Sequence, residues 1–201
     1  MNRPYHHGNL RAALIAEGVS LARSGGPVAL TIRDLARVTG VSPSAAYRHF
    51  PDVDHLLAEI SRTARQELAE AMLDESRALP RLSDPRIEAL RDFAAIGEAY
   101  IRYALRESNM FETAFMPCEA APVEAEVPSA WEVLESALDR LMEVGLLSAA
   151  RREDAPLVAW ATVHGMASIL SRRAVPVDVG EERAITAAII AVQKALELPD
   201  A

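Results

Sequence analysis

Residues able to do covalent chemistry are scattered along this chain of 201 residues. The one cysteine, Cys118, the mid-helix His164 and the many acids lack the mutual spacing of a nucleophile with its base or of a metal cage. No glycine-rich phosphate loop and no nucleophile motif is present. The pattern points away from an enzyme and calls for no cofactor and no metal. What remains is the chemistry of recognition, concentrated in one stretch, Thr31–Phe50, TIRDLARVTGVSPSAAYRHF.

That stretch predicts two short helices around a tight turn. Thr31 is an N-cap with Asp34 three residues on to complete a capping box, and Ile32, Leu35 and Ala36 recur at helical spacing. Gly40 supplies the left-handed residue that ends the first helix, and Val41 plugs into the core. Ser42 and Pro43 restart the chain as N-cap and N1. A helix of about seven residues is marginal alone, because nucleation is costly. Neighbours must hold it, and an exposed short helix needs a use. A helix-turn-helix that lays its second helix in the DNA major groove meets both requirements.

The same twenty residues closely resemble the helix-turn-helix of TetR-type transcriptional regulators, down to Ala36, Gly40-Val41, Tyr47 and His49-Phe50. Residues 8–30 look like that family's first helix and residues 51–68 like the start of its fourth. The resemblance implies an all-α fold: a three-helix DNA-binding domain at 8–68, then a larger helical ligand-sensing and dimerisation domain at 84–197. It implies DNA-facing roles for Thr31, Ile32, Arg33, Pro43, Ser44, Ala45, Tyr47 and His49. By chemistry, Tyr47 and His49 suit phosphate oxygens, and Thr31 and Ile32 match residues near phosphate. Arg33 alone offers a bidentate fork for guanine; Ser44 can donate or accept, while Pro43 and Ala45 can meet thymine methyls. Ala46 falls on the inward side. One position departs from the family: where a phosphate-gripping lysine is common stands Val53, flanked by Asp52 and Asp54. The sequence holds one lysine, Lys194.

Net charge of −8 argues, taken alone, against nucleic acid. Its distribution reverses that. Residues 1–50 carry a net +4 and the remaining 151 a net −12, so one end can approach phosphates while the rest is repelled. No basic-then-apolar leader and no apolar run long enough to span a bilayer is found, so no membrane partner is implied and cytoplasm is the expected compartment. Cys118 cannot form an internal disulfide, which agrees with a reducing environment.

The elements that position the reading stretch follow in order. Met1–Gly8 is a polar arm, either mobile or touching phosphates through Arg3 or the His6-His7 pair. Asn9–Ser24 predicts a helix with Asn9 as N-cap, stopped by Gly25-Gly26-Pro27. Pro51-Asp52 opens a long helix from Val53 to about Ala78. Pro80–Pro85 is the clearest break, with Ser83 or Asp84 as N-cap, and helices are expected at 85–107, 109–116, 128–147, 154–173 and 181–197.

Half of the ten aromatics lie between Phe93 and Phe115. Phe93, Tyr100, Tyr103, Phe111 and Phe115, with Trp131, Trp160 and His164, are candidates either for a plain helical core or for the ligand pocket that the resemblance implies. Such a pocket would take a small apolar to amphipathic effector. Ala159–Gly165, AWATVHG, resembles the Trp-His-Gly signature of one TetR-type subfamily. The helices near 154–173 and 181–197 carry small residues and an apolar stripe, suited to a homodimer that spaces two reading helices one DNA turn apart on a palindromic operator. The expected function is a ligand-released repressor. Two alternatives stay open: a ligand-independent regulator or activator of the same fold, and a helical interaction protein that does not bind DNA.

Overall fold

A computed structural model describes residues 10–117, 128–174 and 180–199. These residues form ten α-helices and a single 3-10 turn, with no strand among them. The polar arm, Asn9, Cys118 and most of both expected loops, 117–127 and 174–180, lie outside the described residues.

The chain divides into two compact units. The first holds residues 10–65 and 109–117. It contains α1 (Leu10–Gly25), the 3-10 turn (Pro27–Ala29), α2 (Ile32–Thr39), α3 (Pro43–Tyr47), the opening of α4 (Val53–Ala78) and α6 (Ser108–Ala114) from Asn109 on. Leu14, Gly18 and Ala22 bury one face of α1. Gly18 is where α1 meets α4, because a methyl there would stand 2.6 Å from Ile60 Cδ1. Leu35, Ala36, Ala46, Phe50, Leu56 and Ile60 complete the core. Leu35 is fully buried, so cutting it to alanine would cost about 2–5 kcal/mol in transfer and cavity terms.

Expected as part of the C-terminal domain, the stretch from Asn109 instead packs with this first unit. The Asn109 side-chain amide donates to the Arg23 carbonyl at the end of α1 (3.0 Å). At the other end of α6, the Ser61 hydroxyl and an Arg65 N–H both donate to the Ala114 carbonyl, each at 3.0 Å. These bonds satisfy carbonyls that a helix C-terminus leaves orphaned.

The second unit holds residues 66–108, 128–174 and 180–199. Its helices are the rest of α4, α5 (Pro85–Arg106), α7 (Ala130–Glu143), α8 (Ala149–Arg152), α9 (Ala155–Ser171) and α10 (Glu181–Ala195). α5 is the axis, packing against α7, α9 and α10. Asp84 caps it, accepting from the Arg86 amide at 2.8 Å, with Pro85 at N1. Gly97 lets α10 come close: a methyl there would meet Ile189 Cδ1 at 2.8 Å. α7 opens on a full capping box between Ser129 and Glu132. It stops earlier than its apolar periodicity suggests. Gly145 takes φ 71°, and the Leu146 amide turns back onto the Leu141 carbonyl at 2.9 Å, closing the helix before Leu146 and Leu147. The one-turn helix α8 follows, which periodicity does not reveal.

Candidate nucleic-acid interface and ligand cavity

Local chemistry builds the reading pair as its sequence predicts. The Asp34 amide donates to Thr31 Oγ1 (3.0 Å), capping α2, and the Thr31 hydroxyl donates to the Asp34 carboxylate (2.7 Å). Asp34 also takes Arg37 at 3.1 Å, and these two hydrogen bonds hold its carboxyl below the usual range. Gly40 sits at φ 74°, ψ 27°, and the Val41 amide bonds the Ala36 carbonyl at 2.9 Å. Val41 is half-buried rather than fully sunk in the core. The Ala45 amide donates to Ser42 Oγ at 3.3 Å, and Pro43 opens α3. Burial of Ala46 turns this short helix so that Pro43, Ser44, Tyr47 and His49 face solvent, with Ala45 half-buried. Thr31 and Arg33 are exposed beside them.

Ile32 is the exception among the expected contacts. Its side chain is 4 % exposed and part of the core, so it presents no side-chain surface to a phosphate. At the α4 N-terminus, Asp52 accepts from the His55 amide (2.9 Å) and pairs with His55 Nδ1 (2.7 Å). The bond to the His55 side chain leads the causes that hold the Asp52 carboxyl below its usual range. Carboxylates thus occupy the positive helix end where a cation-bearing side chain would serve DNA.

A brace missed by sequence reading holds this arrangement from behind. The Glu59 carboxylate, on a residue 5 % exposed, is gripped by Arg11 from α1 and by Arg62 at 3.2 Å. Burial opposes ionisation of Glu59, but the two guanidinium groups outweigh it and hold the carboxyl below its usual range. Arg11 also lies over the ring of Phe50, 5.3 Å from its centroid. Phe50 closes the turn after α3, its amide bonded to the Ala46 carbonyl at 3.1 Å. One guanidinium therefore ties α1, α4 and the end of the reading helix. The signal available in sequence was only an arginine in α1 and a glutamate on the apolar side of α4, 48 residues apart.

The second unit contains a cavity lined by residues of α4, α5, α7, α9 and α10, among them Met72, Phe93, Tyr100, Trp160, His164 and Ile189. The Tyr100 hydroxyl and Nδ1 of His164 share a 2.7 Å hydrogen bond. Trp160 lies parallel to the His164 ring (5.9 Å, 7°) and edge-on to Tyr100 (5.5 Å, 71°). Burial pushes the Tyr100 hydroxyl up from its ordinary pKa. Burial, with Arg172 second, pulls the His164 imidazole down.

Family comparison bears on both sites. Residues 14–60 match the model described as bacterial regulatory proteins, tetR family. Residues 93–192 match the one described as tetracyclin repressor-like, C-terminal domain. The chain belongs to the TetR family of transcriptional regulators.

Members of the TetR family are DNA-binding regulators, not enzymes. A protein of unknown function from Rhodococcus sp. RHA1 is similar in structure, with 26% identity, a TM-score of 0.75, and coverage of 97% of this chain and 99% of that one. The TetR-family transcriptional regulator PfmR from Thermus thermophilus shares the fold at 22% identity and TM-score 0.56, covering 94% of this chain and 99% of that one. So does RolR in complex with resorcinol, at 17% identity and TM-score 0.61, covering 94% and 95%. No curated protein matches.

Within this TetR-family chain the eight aromatic-cluster candidates divide. Phe93, Tyr100, Trp160 and His164 line the cavity. Trp131 stands behind Trp160, ring centroids 5.4 Å apart, outside the lining. Tyr103 turns the other way along α5 and donates its hydroxyl to Glu67 at 3.2 Å. Phe111 and Phe115 pack edge-on against each other at 5.1 Å within the first unit, so they do not belong to this cavity. Proximity in sequence groups them with the other aromatics, but residues from Asn109 on belong to the first unit.

Proposed function

We propose that this TetR-family regulator is a homodimeric repressor that binds a palindromic operator and is released when a small molecule fills the second unit. The observation that carries the reading is the presentation of α3. It is too short to stand alone, yet it is capped at its start by Ser42, braced from behind and left exposed on the face that bears Pro43, Ser44, Tyr47 and His49.

Dimerisation finds support in α9 and α10. Leu157 is 64% exposed, Ile169 43% and Ile190 40%, and a methyl added at Gly165 would meet nothing within 4 Å. Such a small-residue, apolar face suits an isologous contact with a second copy. The sole lysine, Lys194, is exposed in the last turn of α10, where a cation complements the helix dipole. The cavity and the resorcinol complex of a fold relative support the effector. For release, the effector must favour the non-binding spacing of the two heads; equal affinity for both states shifts nothing. A tenfold loss of DNA affinity needs about 1.4 kcal/mol of differential binding.

Selection of bound sequences from random DNA, using the whole protein, tests the reading. An inverted repeat with half-sites about one helical turn, 34–36 Å, apart is expected. Asp52 and Asp54 at the head of α4 favour one rival, an interaction protein without DNA binding. Failure to enrich any sequence at low ionic strength would decide for that rival.

A further inference from the structure

Burial fixes which way α3 faces. Ala46 is fully buried, and Phe50, one turn on, is 1 % exposed. The Phe50 amide bonds the Ala46 carbonyl at 3.1 Å, so the two share one inward line. Arg48 lies between them in sequence and keeps helical dihedrals, φ −70° and ψ −22°. At about 100° per residue, Ser44 and Arg48, each two residues from Ala46, fall on the side opposite the core. Both are exposed. Tyr47 and His49, also exposed, stand to either side of Arg48. In a helix laid in the major groove, the outward line meets base edges, while the flanks meet the strand backbones at the groove walls.

Charge leads to the same residue. The arginines of residues 31–50 are Arg33, Arg37 and Arg48. Arg37 pairs with Asp34 at 3.1 Å. Arg48 makes no side-chain hydrogen bond or ion pair among the described residues. Asp52, four residues on, is engaged by the His55 amide (2.9 Å) and by His55 Nδ1 (2.7 Å). On the outward line itself, the Ser44 hydroxyl lies 3.0 Å from that of Ser42 and is tied to the cap. The uncommitted polar group there is the Arg48 guanidinium. Its planar fork matches O6 and N7 of guanine, a partner that sequence reading gives to Arg33 and to no residue of α3.

We propose that Arg48 reads a guanine edge from the outward line of α3, once in each half-site. The proposal rests on the reading of α3 as the helix that enters the groove. In the test, the whole unaltered protein first selects its operator from random DNA. Each half-site guanine is then replaced in turn by 7-deazaguanine, which lacks the N7 acceptor. Binding is expected to weaken severalfold at one position or more, as for loss of one hydrogen bond. In Arg48→Ala, the penalty at one such position is expected to vanish, whereas Arg33→Ala leaves it in place. Preference for guanine there should fall by about 5- to 150-fold, equivalent to about 1–3 kcal/mol. Glutamine pairs with adenine in the same bidentate way, so Arg48→Gln is expected to change the selected base at that position from guanine to adenine. No N7-sensitive guanine in either half-site overturns the proposal on the unaltered protein alone, without reliance on a variant folding. An unchanged selected sequence in both R48A and R48Q also overturns it. So does a uniform loss on all duplexes with a salt slope shallower by about one per subunit, the mark of a phosphate contact. Failure of the unaltered protein to enrich any sequence removes the DNA reading and this one with it. Enrichment by the unaltered protein with any of the other adverse results removes the role of Arg48 alone.

Discussion

Arg11→Met tests the brace behind the reading helix. Methionine keeps an unbranched stem over Phe50 and removes the charge. The loss includes one charge-assisted bond to the Glu59 carboxylate, about 1.5–3 kcal/mol when fully desolvated. It also includes a cation–π contact of about 0.5–1 kcal/mol. Two facts discount the sum: the Arg11 side chain is 49% exposed, and Arg62 still holds Glu59. About 2 kcal/mol of first-unit stability should go. Both tryptophans lie in the second unit, so urea unfolding should be followed by circular dichroism or by hydrogen exchange at α1 and α4 amides. The pH dependence gives the sharper result. Glu59 is held below its usual range in the folded chain, so its pairing stabilises above the unfolded carboxyl pKa and fades as pH falls through the folded one. The deficit of R11M should therefore be full at pH 7 and shrink as acid protonates Glu59, vanishing only once pH has fallen through the lowered pKa of the folded carboxyl. A deficit unchanged between pH 7 and 3 would refute the ion-pair account and leave Arg11 as packing alone.

Arg33→Ala should relax discrimination at one guanine in each half-site by about 1–3 kcal/mol, seen in sequence selection; equal losses on cognate and scrambled duplexes would make Arg33 a phosphate contact. Val53→Lys restores the family's missing anchor, and the slope of log affinity against log salt should steepen by about one per subunit. Ser42→Ala removes the α3 cap and should cost about 1 kcal/mol of local stability, read as faster exchange of the Ala45 amide and weaker DNA binding. Ile190→Glu, paired with Leu157→Glu, should turn a dimer into a monomer in sedimentation, because each copy would bury unpaired carboxylates; an unchanged dimer would move the interface elsewhere.

Where the fold obeys nearest neighbours it is readable from the sequence. Thr31, Gly40, Ser42 and Pro43 act within four residues of themselves, and the helix-turn-helix follows from them. α4 begins and ends at the expected residues, and Asp84 starts α5 as one of the two anticipated caps. Long-range bonds are another matter. Nothing local in Ser108–Ala114 says that its two ends attach to Arg23 and to Ser61 with Arg65, and so sequence proximity groups Phe111 and Phe115 with aromatics of the second unit. The Arg11–Glu59–Phe50 brace joins three distant segments by pairing, which periodicity does not encode. The early end of α7 was within reach: a glycine followed by two leucines is a helix stop with its hydrophobic contact.

A sequence with a single lysine gives amine chemistry a single side-chain address. Lys194 points to solvent from the last turn of α10, remote in sequence from the arginines, tyrosine and histidine of the reading stretch. Acylation or reductive alkylation can therefore tether the protein to a bead or sensor chip, or carry a dye, while every arginine keeps its charge. On the proposed homodimer, a homobifunctional reagent of graded span joining the two Lys194 side chains would measure their separation.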